Sequence, residues 1–124
     1  MIRGLGIDVC QVSRMEKLLG GNLGARTKER LFTASEQAYC ERSRKWAERY
    51  AARFAAKEAF TKAIGGANGL AWVEVEVVSA EGPPAFRFAP KAQAVLDAQG
   101  VARVHLTLTH DAGVAVAVVV TETA

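Results

Sequence analysis

Alternation of apolar and polar residues predicts strands at both ends of the chain and in its second half. In the N-terminal segment IRGLGIDV, alternation places Gly4, Gly6 and Asp8 on one face of a strand, so no side chain of that face screens Asp8. Two hairpins are predicted further along, WVEVEVV with FRF around SAEGPPA, and VHLTLTH with GVAVAVVV around DAG. The last of these strands is apolar throughout, which predicts burial on both of its faces.

Capping residues and helical spacing predict four helices. A first helix occupies SRMEKLLGG, a second starts in FTASEQAYCERS, a long apolar helix runs through SRKWAERYAARFAAKEAFTKAI, and a short one occupies KAQAVLDAQ. The boundary signals are the capping boxes Ser13–Glu16 and Thr33–Glu36, the glycine pair Gly65–Gly66, and Pro90 and Gly100 at the two ends of the last helix. This order of elements predicts one α+β domain over residues 1–124, with the long helix packed on an antiparallel sheet.

Length and composition agree with a single compact domain. The chain has 124 residues, of which 50% are apolar, enough for one core but not for two. No apolar run reaches the roughly 18 residues of a membrane span, and the N-terminus lacks the features of a secretory signal, so a cytoplasmic protein is expected. Cys10 and Cys40 lack the spacing of a zinc or redox motif, and we expect both to be reduced structural thiols.

Charge is distributed unevenly along the chain. The net charge is +3, but residues 14–62 hold 12 Lys or Arg against 6 Asp or Glu. This block favours an anionic partner such as nucleic acid, a phosphate-rich cofactor or an acidic protein, although a solvated helical surface explains it equally well. A non-enzymatic module that binds nucleic acid is therefore one hypothesis. Two observations count against it: aromatic residues are few, and no familiar RNA-binding or helix-turn-helix signature occurs.

The main candidate chemistry lies in the long helix. Glu58 and Lys62 are four residues apart among alanines, and the simplest interpretation is a surface ion pair worth about 0.2–0.5 kcal/mol. The alternative is that Glu58 joins Asp8 as a Mg²⁺ ligand, because two carboxylates from different elements suit this ion, which completes its shell with water and substrate phosphate. Arg53, Lys57 and Lys62 would then neutralise a pyrophosphate.

The segment VHLTLTH adds a polar strand face. Alternation places His105, Thr107 and Thr109 together, which indicates an anion or ribose site, whereas a single strand histidine is usually structural. Neither His105 nor His110 belongs to a metal motif, and no Ser or Cys nucleophile motif is visible.

These segments together resemble the small bacterial 4′-phosphopantetheinyl transferases, the holo-[acyl-carrier-protein] synthases. The matching segments are GLGIDV, LFTASE, RFAAKEAFTKAIG, VHLTLTH and the final apolar strand. The resemblance implies that coenzyme A (CoA) donates its 4′-phosphopantetheine arm to a serine of apo acyl carrier protein, in support of fatty acid biosynthesis, and that adenosine 3′,5′-bisphosphate is released. The acceptor serine belongs to the partner, so this chain needs no nucleophile of its own.

The resemblance also assigns catalytic residues. Asp8 and Glu58 match the family's Mg²⁺ ligands, and Lys62 matches the lysine that stabilises charge on the phosphoryl oxygens. Asp8, Glu58 or a metal-bound water would take the serine proton, and the sequence leaves these three alternatives open.

Contacts with CoA and with the carrier protein are implied by the same likeness. The family places CoA in a cleft between subunits of a trimer, and the matching residues here are Lys45, Arg53, Lys62, Gly65, Pro84 and His105. The segment GPPAF departs from the common Gly-Lys-Pro form, so that turn offers no lysine. The first helix of the family docks the acidic carrier, and the corresponding basic surface would comprise Arg14, Lys17, Arg26 and Lys28.

Overall fold

Five strands, five α-helices and one 3-10 helix make up the described part of the chain, residues 1–79 and 82–124 of a computed structural model. In chain order they are β1 (Ile2–Gln11), α1 (Val12–Gly20), α2 (Gly24–Leu31), α3 (Ala34–Glu41), α4 (Trp46–Ala63), the 3-10 helix (Trp72–Glu74), β2 (Val75–Val78), β3 (Ala85–Phe88), α5 (Pro90–Ala98), β4 (Val101–Asp111) and β5 (Val114–Thr123). The predicted loop SAEGPPA lies outside the described residues at positions 80 and 81.

The longest helix packs directly on glycines of the first strand. β1, β5 and β4 form one antiparallel sheet in that order, and β2 pairs with β3 in a second. A Cβ atom at Gly6 would lie 1.8 Å from the carbonyl oxygen of Ala59, and one at Gly4 would lie 2.0 Å from that of Ala63. Only glycine permits this approach, which brings α4 beside Asp8 on the same strand face. The predicted α+β architecture, a long helix on an antiparallel sheet, is confirmed.

The second face of the three-stranded sheet is open. Leu5, Ile7 and Val9 are 64%, 58% and 55% exposed. They lie in register with three half-buried valines of β5: Val120, Val118 and Val116. The prediction that β5 is buried on both faces is wrong for a single chain, because α4 covers only the opposite face of the sheet.

The two predicted capping boxes have different outcomes. Thr33–Glu36 is present at the start of α3, where the Thr33 side chain accepts from the Glu36 N–H and the Glu36 side chain from the Thr33 N–H. The box Ser13–Glu16 is wrong, because α1 begins at Val12 without a side-chain cap. β1 continues directly into α1, and the Val12 N–H donates to the carbonyl of Gly113 at 3.0 Å, so a tertiary contact satisfies this donor.

Two elements have no clear signal in the hydrophobic pattern. α2 starts at Gly24 without a side-chain cap, and close packing on α1 holds it, since a Cβ at Gly24 would lie 2.0 Å from the Leu19 carbonyl oxygen. The predicted strand WVEVEVV begins as a 3-10 helix instead. There the Glu74 side chain accepts from the Ala71 N–H at 2.8 Å, and strand pairing starts only at Val75.

A buried ion pair joins α3, α4 and β2. Glu36 Oε1 accepts from Lys57 Nζ at 2.7 Å, and Glu36 Oε2 accepts from the Val77 N–H at 2.8 Å. Lys57 also donates to the Trp72 carbonyl at 3.0 Å. Burial lowers the pKa of Lys57, and the charge of Glu36 opposes this effect. The prediction that Lys57 neutralises a pyrophosphate is therefore wrong, because its ammonium is buried and paired with Glu36 inside the protein.

The cysteine assignment agrees with the structure. Cys10 and Cys40 are free and buried. Burial raises the pKa of Cys10 to about 11 and that of Cys40 to about 12, so both remain unreactive thiols at neutral pH. Within residues 1–79 and 82–124, no helix combines the length and apolar character that a bilayer crossing requires.

Candidate functional site

Asp8, Glu58 and Lys62 meet where β1 passes α4. Lys62 Nζ donates to Asp8 Oδ1 at 2.9 Å and to the Ile7 carbonyl at 2.9 Å, and the Glu58 carboxyl lies close enough to Asp8 for the Asp8 charge to raise the pKa of Glu58. Lys62 thus pairs with the strand carboxylate and not with Glu58, its neighbour on the helix. The Lys62 side chain is 56% exposed, and its third N–H is left for another acceptor.

Glu58 holds its proton more tightly than an ordinary glutamate does. Burial and the charge of Asp8 raise the pKa of Glu58 to about 7, while the charges of Arg14 and Lys62 oppose the shift. Two carboxyl groups in contact do not both ionise readily unless a cation compensates them. The pair therefore keeps a proton up to about neutral pH.

The two carboxyl groups also fit a divalent cation. Asp8 Oδ2 is buried and has no hydrogen-bond partner among the described residues, so one carboxylate oxygen is left for a ligand. Oxygen ligands from one or two carboxylates are typical of Mg²⁺, which takes the rest of its shell from water and substrate phosphate. Within the described ranges there is no group of three or more His, Cys, Asp or Glu side chains placed to hold a metal, and the site would rely on Asp8 and Glu58.

A groove of about 510 Å³ lies on another flank of α4. Its walls come from α3, α4, the segments that follow β2 and precede β3, and β4. Three of the predicted CoA contacts line it: Lys45, Arg53 and Pro84. The structure therefore brings half of the six predicted CoA contacts together in one concave surface.

Three further residues of this groove escape the sequence pattern: Tyr39, Arg49 and Ser79. Arg53 Nη2 donates to Ser79 Oγ at 2.6 Å, and Arg49 Nη1 donates to the Tyr39 carbonyl at 2.7 Å. Arg49 could have been found, because it lies four residues before Arg53 and therefore on the same helix face. Tyr39 and Ser79 come from other elements, and no local pattern identifies them.

His105 and Gly65 lie away from the groove. His105 is on the open face of the sheet, in register with Val120, and its Nε2 contacts Glu122. Gly65 follows α4 with φ of +83°, and a Cβ there would meet no atom within 4 Å. The left-handed backbone alone accounts for glycine at this position.

The predicted carrier-binding residues differ in their surroundings. Exposed cations occur on α1 and α2: Arg14, Lys17 and Arg26. Arg14 lies close enough to the carboxylate pair for its charge to lower the pKa of Glu58. Lys28 instead lies 3.3 Å from Glu41 and over the ring of Tyr50, so it serves the protein's own packing.

Comparisons with known proteins give one consistent result. A profile of the 4′-phosphopantetheinyl transferase superfamily matches residues 4–119. The holo-[acyl-carrier-protein] synthase of Anaeromyxobacter sp. (strain K) is 48% identical over 124 residues, which cover 98% of this chain and 97% of that protein.

Solved structures agree in fold. The synthase of Neisseria meningitidis superposes with a TM-score of 0.88 at 31% identity, over 99% of this chain and 100% of the other. The Bacillus anthracis synthase, solved in complex with CoA (3′,5′-ADP), gives a TM-score of 0.80 at 31% identity over 100% and 99% of the two chains. The chain therefore belongs to the 4′-phosphopantetheinyl transferase superfamily, among the holo-[acyl-carrier-protein] synthases.

Proposed function

We propose that this protein transfers the 4′-phosphopantetheine group of CoA to a serine of apo acyl carrier protein and releases adenosine 3′,5′-bisphosphate. The observation that carries the proposal is the proximity of Asp8 and Glu58, which stand in the family segments GIDV and KEA, with Lys62 hydrogen-bonded to Asp8. The CoA complex of the Bacillus anthracis relative supports CoA as the donor.

Asp8 and Glu58 are the proposed Mg²⁺ ligands. Their hard oxygens fit the ion, as does Asp8 Oδ2, which has no hydrogen-bond partner within residues 1–79 and 82–124. When bound, Mg²⁺ would neutralise the donor's pyrophosphate and polarise the phosphoryl group under attack.

Lys62 is a cation in direct contact with Asp8, one of the two proposed metal ligands. Its ammonium is held by Asp8 and the Ile7 carbonyl, so its charge is fixed before the donor arrives and favours the developing charge on phosphoryl oxygens. The serine oxygen attacks the phosphorus that bears the pantetheine arm, and the bond from that phosphorus to the adenosine bisphosphate breaks. The serine proton must pass to a base, and this chain offers two carboxylates there, Asp8 and Glu58.

We propose further that three copies of the chain share their sites. At 100° per residue, Arg53 and Glu58 lie about 140° apart around α4, so the groove and the carboxylates occupy different flanks of one helix. A donor that contacts both is accommodated more readily when the groove of one copy faces the carboxylates of another. The open sheet face, which exposes Leu5, Ile7 and Val9, offers an apolar surface for such an assembly.

The acidic carrier is proposed to dock on α1. Arg14 and Lys17 line a surface groove of about 450 Å³, and Arg14 acts electrostatically on Glu58. A carrier held by these cations would bring its serine close to the carboxylates. Association of this kind is fast and falls with rising salt.

The nucleic-acid hypothesis is not supported. The family match and the relatives described above are transferases. Several residues of the basic block also have other roles in the structure, because Lys57 is buried on Glu36 and Lys28 contacts Glu41.

Substitution of Glu58 tests the proposal. Glu58→Ala should lower the rate of transfer from CoA to apo carrier protein at least about 100-fold, since a lost metal ligand removes several kcal/mol of transition-state stabilisation. The carrier's mass gain of one phosphopantetheine group is the readout, and calorimetric titration with Mg²⁺ reports the metal separately. Asp97 is an exposed carboxylate on α5, and the control variant Asp97→Ala should retain the native rate. Native turnover by a folded Glu58→Ala protein would overturn the assignment.

A further inference from the structure

Tyr39 brings two arginines of the groove onto one aromatic ring. The guanidinium carbon of Arg53 lies 4.1 Å from the ring centroid, and that of Arg49 lies 4.2 Å from it. A guanidinium within about 6 Å of an aromatic face is attracted by the ring quadrupole. One side chain of α3 thus stabilises two neighbouring positive charges of α4.

Hydrogen bonds complete the arrangement. Arg49 donates to the Tyr39 carbonyl at 2.7 Å, and Arg53 donates to the Arg49 carbonyl at 3.3 Å and to Ser79 Oγ at 2.6 Å. Arg53 is only 4% exposed, and its Nε is buried with no partner in the part of the chain that the structure describes. The guanidinium groups therefore have defined positions before any ligand is bound.

The position of the ring follows from the helix packing. Glu36 precedes Tyr39 by three residues on α3, and Lys57 follows Arg53 by four residues on α4. The buried Glu36–Lys57 pair and the Tyr39–Arg53 stack are therefore successive contacts between the same two helices. The ring is held by the core of the protein and does not depend on the rotamer of a free surface side chain.

The groove carries an excess of positive charge. Its permanent cations are Lys45, Arg49 and Arg53. Among its described residues the carboxylate is Glu48, whose Oε2 lies 3.3 Å from His110 Nδ1. Arginine side chains that are already held in place lose little conformational entropy when a ligand binds. They therefore favour an anionic ligand with several phosphate oxygens.

We propose that Tyr39 is a positioning residue for the transfer reaction, whose ring holds Arg49 and Arg53 ready for the phosphates of the CoA donor. The inference rests on the proposed function. Because the ring acts through the arginines and does not lie at the carboxylates, its loss affects donor binding and leaves the chemical step almost unchanged.

Two substitutions separate the ring from the hydroxyl. Tyr39→Leu removes the aromatic face and keeps an apolar side chain, whereas Tyr39→Phe keeps the face. With saturating apo carrier and varied CoA, Tyr39→Leu should raise KM for CoA about tenfold and leave kcat within about twofold, and Tyr39→Phe should match the unchanged protein in both. Calorimetry with adenosine 3′,5′-bisphosphate should show the same roughly tenfold loss of affinity for Tyr39→Leu alone.

A double-substitution cycle shows whether the ring acts through the arginines. In a background of Arg49→Gln and Arg53→Gln, adding Tyr39→Leu should change the affinity for adenosine 3′,5′-bisphosphate by less than about twofold, since the two groove arginines that contact the ring are gone. If the role of Tyr39 is merely structural, Tyr39→Leu lowers this affinity equally in the unchanged protein and in the background without the two arginines. Should Tyr39→Leu not fold, Tyr39→Met replaces it with the same expected results.

Besides that outcome of the cycle, three results would overturn the role of Tyr39. The first is a KM for CoA in Tyr39→Leu within about twofold of that of the unchanged protein. The second is an equal rise in KM in Tyr39→Phe, and the third is a fall in kcat of Tyr39→Leu with no change in KM. Absence of product from the unchanged protein would instead overturn the proposed function. The binding measurement with adenosine 3′,5′-bisphosphate would still decide whether Tyr39 positions the arginines.

Discussion

Glu58 is a side chain whose ionisation opposes folding. Its pKa is about 7 in the folded protein, against 4.5 for an ordinary glutamate, mainly because of burial and then because of the Asp8 charge. Between these two values the folded chain binds more protons than the unfolded chain. The contribution of Glu58 to the free energy of unfolding therefore falls as pH rises from about 4.5 to 7 and stays low above that.

Replacement by glutamine should remove this pH dependence. Without divalent metal, Glu58→Gln should be more stable than the unchanged protein at pH 8, and the advantage should shrink at pH 4, where the native carboxyl is protonated. Urea unfolding of both proteins at the two pH values measures the difference. An equal difference at both pH values would contradict the raised pKa of Glu58 in the folded protein.

Single residues show which positions a sequence pattern can single out and which it cannot. Asp8 and Glu58 stand out because glycines and alanines surround them, and small neighbours leave a charged group accessible on either element. Lys57 has the same local surroundings, yet its role depends on Glu36, which is 21 residues away. The sequence pattern gives the faces of α4 but not which face α3 covers, so Lys57 and Tyr39 could not be assigned.

At the level of elements, the contact between β1 and α4 positions the site. Gly6→Ala would place a Cβ 1.8 Å from the Ala59 carbonyl oxygen, and overpacking of this kind costs about 1–3 kcal/mol or more. We expect a lower free energy of unfolding and weaker transfer, since Asp8 and Glu58 would move apart.

Gly20→Ala is the matched control for this substitution. A Cβ at Gly20 would meet its nearest atom, on the Trp46 ring, at 3.9 Å, and stability should change by less than about 1 kcal/mol. Denaturant unfolding of the two variants gives the comparison. Equal stability of Gly6→Ala and the unchanged protein would show that α4 does not rest on β1.

Element boundaries show the limits of local signals. The capping box of Thr33 and Glu36 is formed because α3 starts after an extended residue. The same spacing at Ser13 fails because β1 leads straight into α1 and Gly113 satisfies the free N–H. Alternation correctly predicts that Gly4, Gly6 and Asp8 share a face, since a strand's period is independent of its partners.

For the whole molecule, the open sheet face and the groove are two separate surfaces of one chain. The open sheet face exposes Leu5, Ile7 and Val9, and the groove around Arg53 lies on a different flank of α4 from Glu58. His105 lies on the open face and not in the groove. A sequence pattern marks these residues as special, but it carries no information about contacts between copies.

Transfer by mixed assemblies tests most directly whether one copy supplies Asp8, Glu58 and Lys62 while its neighbour supplies the Arg53 groove. Glu58→Ala protein, inactive alone, and Arg53→Gln protein, which binds CoA weakly, are unfolded together and refolded. The mixture is assayed by the mass gain of apo carrier protein with Mg²⁺ and a CoA concentration at which Arg53→Gln alone gives no product. Restored transfer at about a quarter of the native sites is expected for random assembly with a head-to-tail interface. A mixture of Glu58→Ala with Lys62→Ala should restore none, and an equally inactive Glu58→Ala and Arg53→Gln mixture would contradict the shared site.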